Sequence, residues 1–216
     1  MKRQVGYVSP DLSFQAWGKV GKAIQFVKGF YPTWDNAYCE RLMKDFGLGS
    51  EEKIATLSFG ARIKLSLLLA LSWHPKVLIL DEPTVGLDAV TKQQVFGELL
   101  EIVKEDNERT VFISSHGLSD LERFADHLGM IKDGRMLLEG TTTEIIERFQ
   151  MVDFEAEAGS DFRNQPGIYP QLNERNRWRV LVDGATTSMA RIQSRGARQI
   201  STTPVTLEEL FIALAR

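Results

Sequence analysis

The sequence lacks the features that mark secreted, membrane-spanning and nucleic-acid-binding proteins. It holds a single cysteine, Cys39, so no disulfide bond can form within its 216 residues, and such a chain suits a reducing compartment. No apolar stretch approaches the roughly 20 residues that cross a bilayer, and the amino terminus has no apolar core of signal-peptide length. The net charge of −3 gives no general attraction to nucleic acid or anionic lipid. Any role at a membrane must therefore come through a partner.

Apolar runs and amphipathic stretches alternate along the middle of the chain. This alternation is typical of an α/β fold, in which a parallel sheet is covered by helices. The expected strands lie at residues 5–8, 77–80, 110–113 and 128–131, and the expected helices at residues 35–46, 58–70, 89–104 and 118–125. The run at residues 77–80 is apolar throughout, as in a strand that is covered on both faces.

The character of the sequence changes near residue 150. Loop-forming residues become frequent there, and the remaining segment combines a short apolar strand with two helical stretches. We therefore predict one domain over residues 1–150 and a small accessory α+β domain over residues 151–216.

Two adjacent carboxylates follow the apolar strand at residues 77–80. Asp81 and Glu82 stand where this strand ends, and ligands of open parallel sheets bind at the carboxyl ends of the strands. Asp81 can hold Mg²⁺ directly or through water, and Glu82 can accept a proton from a water that attacks a phosphoryl group. A solvated acidic turn is the alternative interpretation.

Two further segments carry chemistry of the same kind. His116 follows the end of the strand at residues 110–113, where it could hydrogen-bond a phosphate oxygen or the attacking water. Ser58 precedes a helix as its N-cap, and a helix N-terminus with small residues suits phosphate. Taken alone, an exposed histidine and an ordinary helix cap are the commoner outcomes.

In their order and spacing, these segments resemble the ABC-type nucleotide-binding subunits. Residues 57–61 (LSFGA) look like a variant of the LSGGQ signature, residues 77–82 like Walker B, residues 86–88 (GLD) like the D-loop, and His116 like the H-loop histidine. The resemblance extends from residue 57 to residue 140. It implies a partial P-loop NTPase sheet with a helical subdomain over about residues 12–73. Phe59 and Ala61 depart from the usual signature.

The resemblance also implies an ATPase that binds ATP and Mg²⁺ between two subunits. In one subunit Asp81 would be the metal ligand, and Glu82 and His116 the catalytic residues. The other subunit would supply the signature, in which Ser58 and Gly60 are the expected phosphate contacts. The helix after Ser58 should be roughly 20 Å long, so its phosphate-binding end is expected to act on nucleotide bound by the facing subunit. Asp88 of the D-loop is also expected among the nucleotide-binding residues.

The phosphate-binding P-loop, Gly-x-x-x-x-Gly-Lys-Ser/Thr, is absent from the sequence. The Gly-Lys pairs at Gly18 and Gly21 are followed by Val20 and Ala23 and lack the earlier glycine. The resemblance places this loop before the strand at residues 5–8, hence before Met1. A sheet without that strand would expose apolar surface and unpaired edges. The Q-loop residue is not assigned, because Ser9-Pro10-Asp11 stands in its place.

Three functions are compatible with these observations. The leading hypothesis is an ATP-hydrolysing subunit of a membrane exporter, located in the cytoplasm on the inner face of the membrane, with a membrane-spanning permease and a second ABC ATPase subunit as partners. The exporter assignment rests on residues 30–35 and 204–211, which resemble exporter-type subunits. A non-catalytic truncated subunit that binds or regulates a complete partner is the alternative. A soluble ABC protein of translation or DNA repair is the third, although no second cassette or long coiled-coil insertion is visible.

Overall fold

The computed structural model describes residues 4–105, 108–157, 160–163, 165–174 and 176–215. The chain divides after His116 into two compact units. This division into compact units does not test the domain boundary that we expect near residue 150, which stays a prediction.

A three-stranded parallel sheet forms the centre of the first unit. Its strands are β1 (Val5–Val8), β2 (Val77–Asp81) and β3 (Thr110–Ser114), in the order β1-β2-β3. In this register Val8 lies opposite Leu80, and Asp81 lies opposite Ser114. The predicted parallel sheet is therefore confirmed, and its strands end side by side at one edge.

Four helices belong to the same unit. They are α1 (Val20–Lys28), α2 (Asn36–Phe46), α3 (Phe59–Leu71) and α4 (Ala89–Glu105). The last three are confirmed within one or two residues of their predicted bounds. The Asp35 carboxylate caps α2 by accepting a hydrogen bond from the Tyr38 amide at 2.9 Å, and Gly47, with a φ of 65°, ends that helix. Helix α1 was not predicted, because its glycine and scattered aromatic residues obscure the apolar face.

One face of the parallel sheet is apolar and partly exposed. Tyr7, Ile79 and Phe112 lie in one row across the three strands. Tyr7 is 50% exposed and Phe112 is 63% exposed, whereas Leu78 and Leu80 on the opposite face are buried. The expectation that residues 77–80 are covered on both faces therefore holds for one face only. The side chains alternate between the faces, so the apolar run supplies both a buried row and an exposed one.

The second unit begins with a short helix and a hairpin. Its elements are α5 (Leu118–Glu122), β4 (His127–Lys132), β5 (Arg135–Thr141) and α6 (Thr142–Arg148). Asp133 and Gly134 close the hairpin with φ angles of 50° and 73°, as a tight hairpin turn requires. This turn pairs β4 with β5 in a separate two-stranded sheet. The strand that we expected at residues 128–131 is therefore not part of the three-stranded parallel sheet. A capping box of Thr141 and Glu144 opens α6.

The carboxyl-terminal part is a four-stranded antiparallel sheet with two helices. Its elements are β6 (Phe149–Glu155), β7 (Ile168–Glu174), β8 (Arg177–Asp183), α7 (Met189–Gln193), β9 (Arg198–Pro204) and α8 (Leu207–Leu214), with the strand order β7-β8-β6-β9. The rings of Phe154, Phe162 and Trp178 meet in its core. The α+β character is confirmed. None of the helices in the described ranges has the length and apolar character of a membrane span.

Candidate functional site

Polar side chains from two neighbouring strands meet at the carboxyl edge of the parallel sheet. Because Asp81 and Ser114 lie opposite each other, the Ser114 hydroxyl donates a hydrogen bond to Asp81 Oδ1 at 2.5 Å. The main chain continues this pairing one residue further, since the Glu82 amide donates to the Ser114 carbonyl at 3.0 Å. Asp81 and Glu82 are thus fixed to the strand that leads to His116.

Glu82 and His116 are in direct contact. Glu82 Oε1 accepts a hydrogen bond from the His116 amide at 3.0 Å and lies 2.9 Å from His116 Nδ1. The other carboxylate oxygen lies 3.5 Å from the Ser115 hydroxyl. The His116 ring is exposed, whereas the Glu82 side chain is partly buried. The structure therefore brings together three of the residues that the sequence singled out: Asp81, Glu82 and His116.

The backbone of Glu82 is strained. Its φ angle is 46°, in the left-handed region that costs a residue with a Cβ about 1–2 kcal/mol. Strain of this kind persists only where the surrounding contacts fix the conformation. Here those contacts are the bonds of Glu82 to Ser114 and His116.

Two consecutive turns connect Glu82 to the D-loop segment. The Val85 amide donates to the Glu82 carbonyl at 3.2 Å, and the Leu87 amide donates to the Thr84 carbonyl at 3.2 Å. Thr84 is buried, and Gly86 has a φ of 69°, which glycine adopts readily. Residues 82–87 therefore form a compact, internally bonded segment.

Asp88 lies directly before α4 and caps it. Its two carboxylate oxygens accept hydrogen bonds from the Thr91 amide at 3.0 Å and the Thr91 hydroxyl at 2.8 Å. The bond from the Thr91 amide, followed by the bond from its hydroxyl, lowers the pKa of Asp88. In this conformation both oxygens serve the helix cap, and a role for Asp88 in nucleotide binding stays a prediction.

The signature segment lies at the amino end of α3. The Ser58 hydroxyl accepts a hydrogen bond from the Ala61 amide at 3.1 Å, which confirms Ser58 as the N-cap. Gly60 approaches the D-loop closely, because a Cβ at this position would lie 3.0 Å from Leu87 Cδ2. The contacts of Ser58 and Gly60 with phosphate stay a prediction.

The donor atoms at the strand edge fit one magnesium ion only in part. The Asp81 carboxylate and the Ser114 hydroxyl are oxygen donors, which Mg²⁺ prefers. Within the described ranges no group of three His, Cys, Asp or Glu side chains could hold a metal ion. Most of the coordination would therefore come from phosphate oxygens and water, as is usual for Mg²⁺ at nucleotide sites.

The remaining histidines take other roles. His74 Nε2 lies 3.2 Å from Asp35 Oδ2, and its ring stacks on Tyr38. His127 lies 3.7 Å from Glu139 on the hairpin. Neither contact involves the strand edge. In the segment where a Q-loop residue was sought, the Ser9 hydroxyl accepts a hydrogen bond from the Asp11 amide.

Sequence reasoning did not assign roles to Ser114 and Ser115. Both side chains bond to the strand-end carboxylates. Their position immediately before His116, at the end of a strand parallel to β2, was the signal that could have identified them.

Comparisons with known proteins identify relatives of this chain. Residues 1–85 match the family described as "ABC transporter". The ABC transporter ATP-binding protein YtrB of Bacillus subtilis (strain 168) is 28% identical over 99% of this chain and 73% of its own length. The bacitracin transport ATP-binding protein BcrA of Bacillus licheniformis is 38% identical over 46% of this chain, which spans 33% of that relative.

The structural comparison supports the same fold. A solved ATP-binding subunit of an ABC transporter superposes with a TM-score of 0.59 at 23% identity, over 68% of this chain and 62% of that one. At this identity the likeness concerns the fold. In its motifs and in these comparisons, the chain is similar to ABC transporter ATP-binding proteins.

Proposed function

We propose that this chain is the ATP-hydrolysing subunit of a membrane exporter. The observation that carries the proposal is the contact between Glu82 and His116 beside Asp81, at the carboxyl edge of a parallel sheet. These residues combine a general base, a histidine and a metal ligand where a triphosphate would enter. The family relatives are named as ATP-binding proteins of transporters, and the exporter assignment rests on the exporter-like segments at residues 30–35 and 204–211.

Glu82 would act as the general base. It would accept a proton from the water that attacks the terminal phosphoryl group, which is a task for a carboxylate held in a fixed position. The strained backbone and the bonds to His116 and Ser114 provide that fixed position.

His116 would assist the same reaction by orienting the attacking water or by stabilising a phosphate oxygen. A carboxylate can only accept hydrogen bonds, so His116 Nδ1 carries the proton in its contact with Glu82. In the neutral ring Nε2 is then an acceptor that can orient the attacking water. In the protonated ring Nε2 donates and can stabilise a phosphate oxygen.

Asp81 would hold Mg²⁺, with Ser114 fixing its carboxylate. The ion would neutralise charge on the phosphate oxygens during the transfer.

The triphosphate itself needs a further binding element, because the 216 residues contain no P-loop. A P-loop supplies backbone N–H groups and a lysine for the phosphates. We propose that this element lies outside the present sequence, and that Ser58 and Gly60 of a second ABC subunit close the site from the opposite side.

The permease is proposed to bind to a partly exposed aromatic row on the first unit. The row consists of Phe14, Trp17, Phe26 and Phe30, whose ring centroids follow one another at 5.7, 5.1 and 5.1 Å. Phe26 and Phe30 are exposed large apolar side chains, and contiguous exposed apolar surface marks interaction sites. Binding there would place the subunit on the cytoplasmic face of the membrane.

A non-catalytic subunit is the second candidate function. The absent P-loop favours it, because such a chain would lend its signature to a complete partner and hydrolyse nothing itself. The retained cluster of Asp81, Glu82 and His116 favours the catalytic proposal.

The test begins with the DNA upstream of the first codon, read for an in-frame P-loop. The extended protein is then expressed and assayed for ATP hydrolysis, with Glu82→Gln as the matched control. We expect hydrolysis in the extended protein and its loss in the control. An upstream sequence without a P-loop, or equal rates in both proteins, would favour the non-catalytic subunit.

A further inference from the structure

The ring of Phe59 lies directly on the D-loop glycine. A Cβ placed on Gly86 would lie 2.6 Å from Phe59 Cδ1 and 3.0 Å from Phe59 Cε1. Real Cβ atoms do not approach other atoms so closely, so the ring occupies the space that any side chain at position 86 would need. The Arg62 guanidinium lies 5.9 Å from the centre of the Phe59 ring, within the range of a cation–π contact. The ring is thus held between the D-loop and the next turn of α3.

A continuous set of bonds connects this contact to the strand-end cluster of Asp81, Glu82 and His116. Gly86 belongs to the segment of residues 82–87, whose two turns are closed by hydrogen bonds to the carbonyls of Thr84 and Glu82. Glu82 in turn bonds to His116. The path from the signature helix to the proposed general base therefore consists of one ring contact, two turns and one carboxylate–histidine contact.

We propose that Phe59 is a positioning residue, which sets the D-loop segment through Gly86 and thereby the orientation of Glu82 toward His116. Phe59 is the position at which the signature departs from its usual small residue. The large ring would link the end of α3 to the site on the same chain, while Ser58 and Gly60 serve the facing subunit. The catalytic consequence rests on the proposed function, whereas the link itself can be measured without nucleotide.

The test uses the ring signals of the histidines in the purified chain. The sequence holds three histidines, so their Cε1–H signals in a ¹H–¹³C correlation spectrum can be assigned by single His→Ala variants. We expect Phe59→Ala to shift the His116 signal and leave the His74 and His127 signals in place. The unchanged signals show that the variant is folded. Phe30→Ala is the matched control, because it removes another exposed phenylalanine and should leave His116 unchanged.

Two further variants separate positioning from a general loss of packing. Phe59→Leu keeps an apolar side chain over Gly86 and should restore most of the His116 signal position. Gly86→Ala should shift this signal strongly in the parent chain and less in the Phe59→Ala background, because the added Cβ then meets no ring. The backbone strain of alanine at position 86 is the same in both backgrounds and cancels in the comparison.

A His116 signal that stays in place in Phe59→Ala, or equal effects of Gly86→Ala in the two backgrounds, would overturn the proposal. Neither outcome depends on ATP hydrolysis. Failure of this link is therefore distinguishable from failure of the proposed function.

Discussion

The carboxylate of Glu82 accepts a hydrogen bond from the main chain of His116 and contacts the ring of the same residue, both through Oε1. The main-chain bond fixes where the carboxylate lies, and the ring contact fixes which ring nitrogen carries the proton. A histidine held only by its ring would leave the glutamate free to turn. The double contact explains how an exposed histidine and a partly buried glutamate can act together.

The purified 216-residue chain should not hydrolyse ATP. The reason is the absence of the phosphate cradle and its lysine from the sequence, without which the triphosphate is not held against Glu82. The measurement is steady-state phosphate release compared with a Glu82→Gln sample. Release well above that sample would contradict the prediction and show that this chain binds nucleotide by another route.

In an assembly that includes the P-loop, His116→Ala should lower turnover about as much as Glu82→Gln does, by about 10²–10⁴. The variant leaves Glu82 without its ring contact and the water without an orienting partner. ATP binding, measured with a fluorescent analogue, should remain. His127→Ala is the control, since its ring lies beside Glu139 on the hairpin. Full turnover in His116→Ala would remove this residue from the mechanism.

The signature should act in trans. Helix α3 spans Phe59–Leu71, and its amino end packs on the D-loop of its own chain through Phe59. The resemblance to ABC-type subunits implies that in a two-fold dimer Ser58 at this end faces the nucleotide of the other subunit. We expect P-loop-containing Ser58→Arg and Glu82→Gln proteins to be inactive alone. Mixing them should recover roughly a quarter of the parental activity, because half of the dimers then hold one intact site of two. Absence of recovery in a mixture shown to exchange subunits would indicate that Ser58 serves its own chain.

Asp183→Asn should destabilise the second unit. The Asp183 side chain is only 3% exposed and accepts bonds from Arg148 Nε and Nη2, both at 2.7 Å. We expect a loss of about 2–3 kcal/mol, less than for a fully buried pair, because the Arg148 side chain is 42% exposed. The measurement is urea unfolding followed by the indole ¹H–¹⁵N signal of Trp178, which lies in the core of that unit and is distinguished from the signals of the other three tryptophans by a Trp178→Phe variant.

The same pair predicts a pH dependence. The bond from the Arg148 guanidinium holds the pKa of Asp183 below its usual value. A lowered carboxyl pKa stabilises the folded state above the unfolded pKa of about 3.9, and this contribution is lost as the pH falls through the lower, folded pKa. The difference between the parent and Asp183→Asn should therefore shrink on acidification below about pH 4. Glu174→Gln, which removes an exposed carboxylate from the same sheet, is the control.

The parallel sheet and the cluster of side chains at its carboxyl edge could be predicted, because the sequence patterns that indicate them are local. An uninterrupted apolar run predicts a buried strand, and parallel strands that end together bring the residues after them into contact. Asp81, Glu82 and His116 were found in this way. The N-cap at Ser58 followed from a short side chain placed directly before an apolar helix.

Other parts of the fold and of the site depend on contacts that cannot be inferred from sequence patterns. Strand β9 is almost entirely exposed and polar, and β7 contains Pro170, so neither shows an apolar pattern; their partners in the sheet define them. The role of Asp88 as a helix cap depends on Thr91, and a motif match alone does not distinguish this role from ligand binding. Phe59 packs on Gly86, which lies 27 positions further along the chain, and only the folded structure reveals this contact.

Because Glu82 has a left-handed backbone conformation, the residue that is best for folding stability at this position differs from the one that turnover is proposed to need. Glycine at this position would relieve about 1–2 kcal/mol of strain, so a selection for heat resistance alone should favour Glu82→Gly. The same change would delete the carboxylate that contacts His116. Directed evolution of this protein for thermal stability, without a requirement for turnover, should therefore lose its proposed general base early, and a stabilised variant that keeps Glu82 must obtain its stability elsewhere.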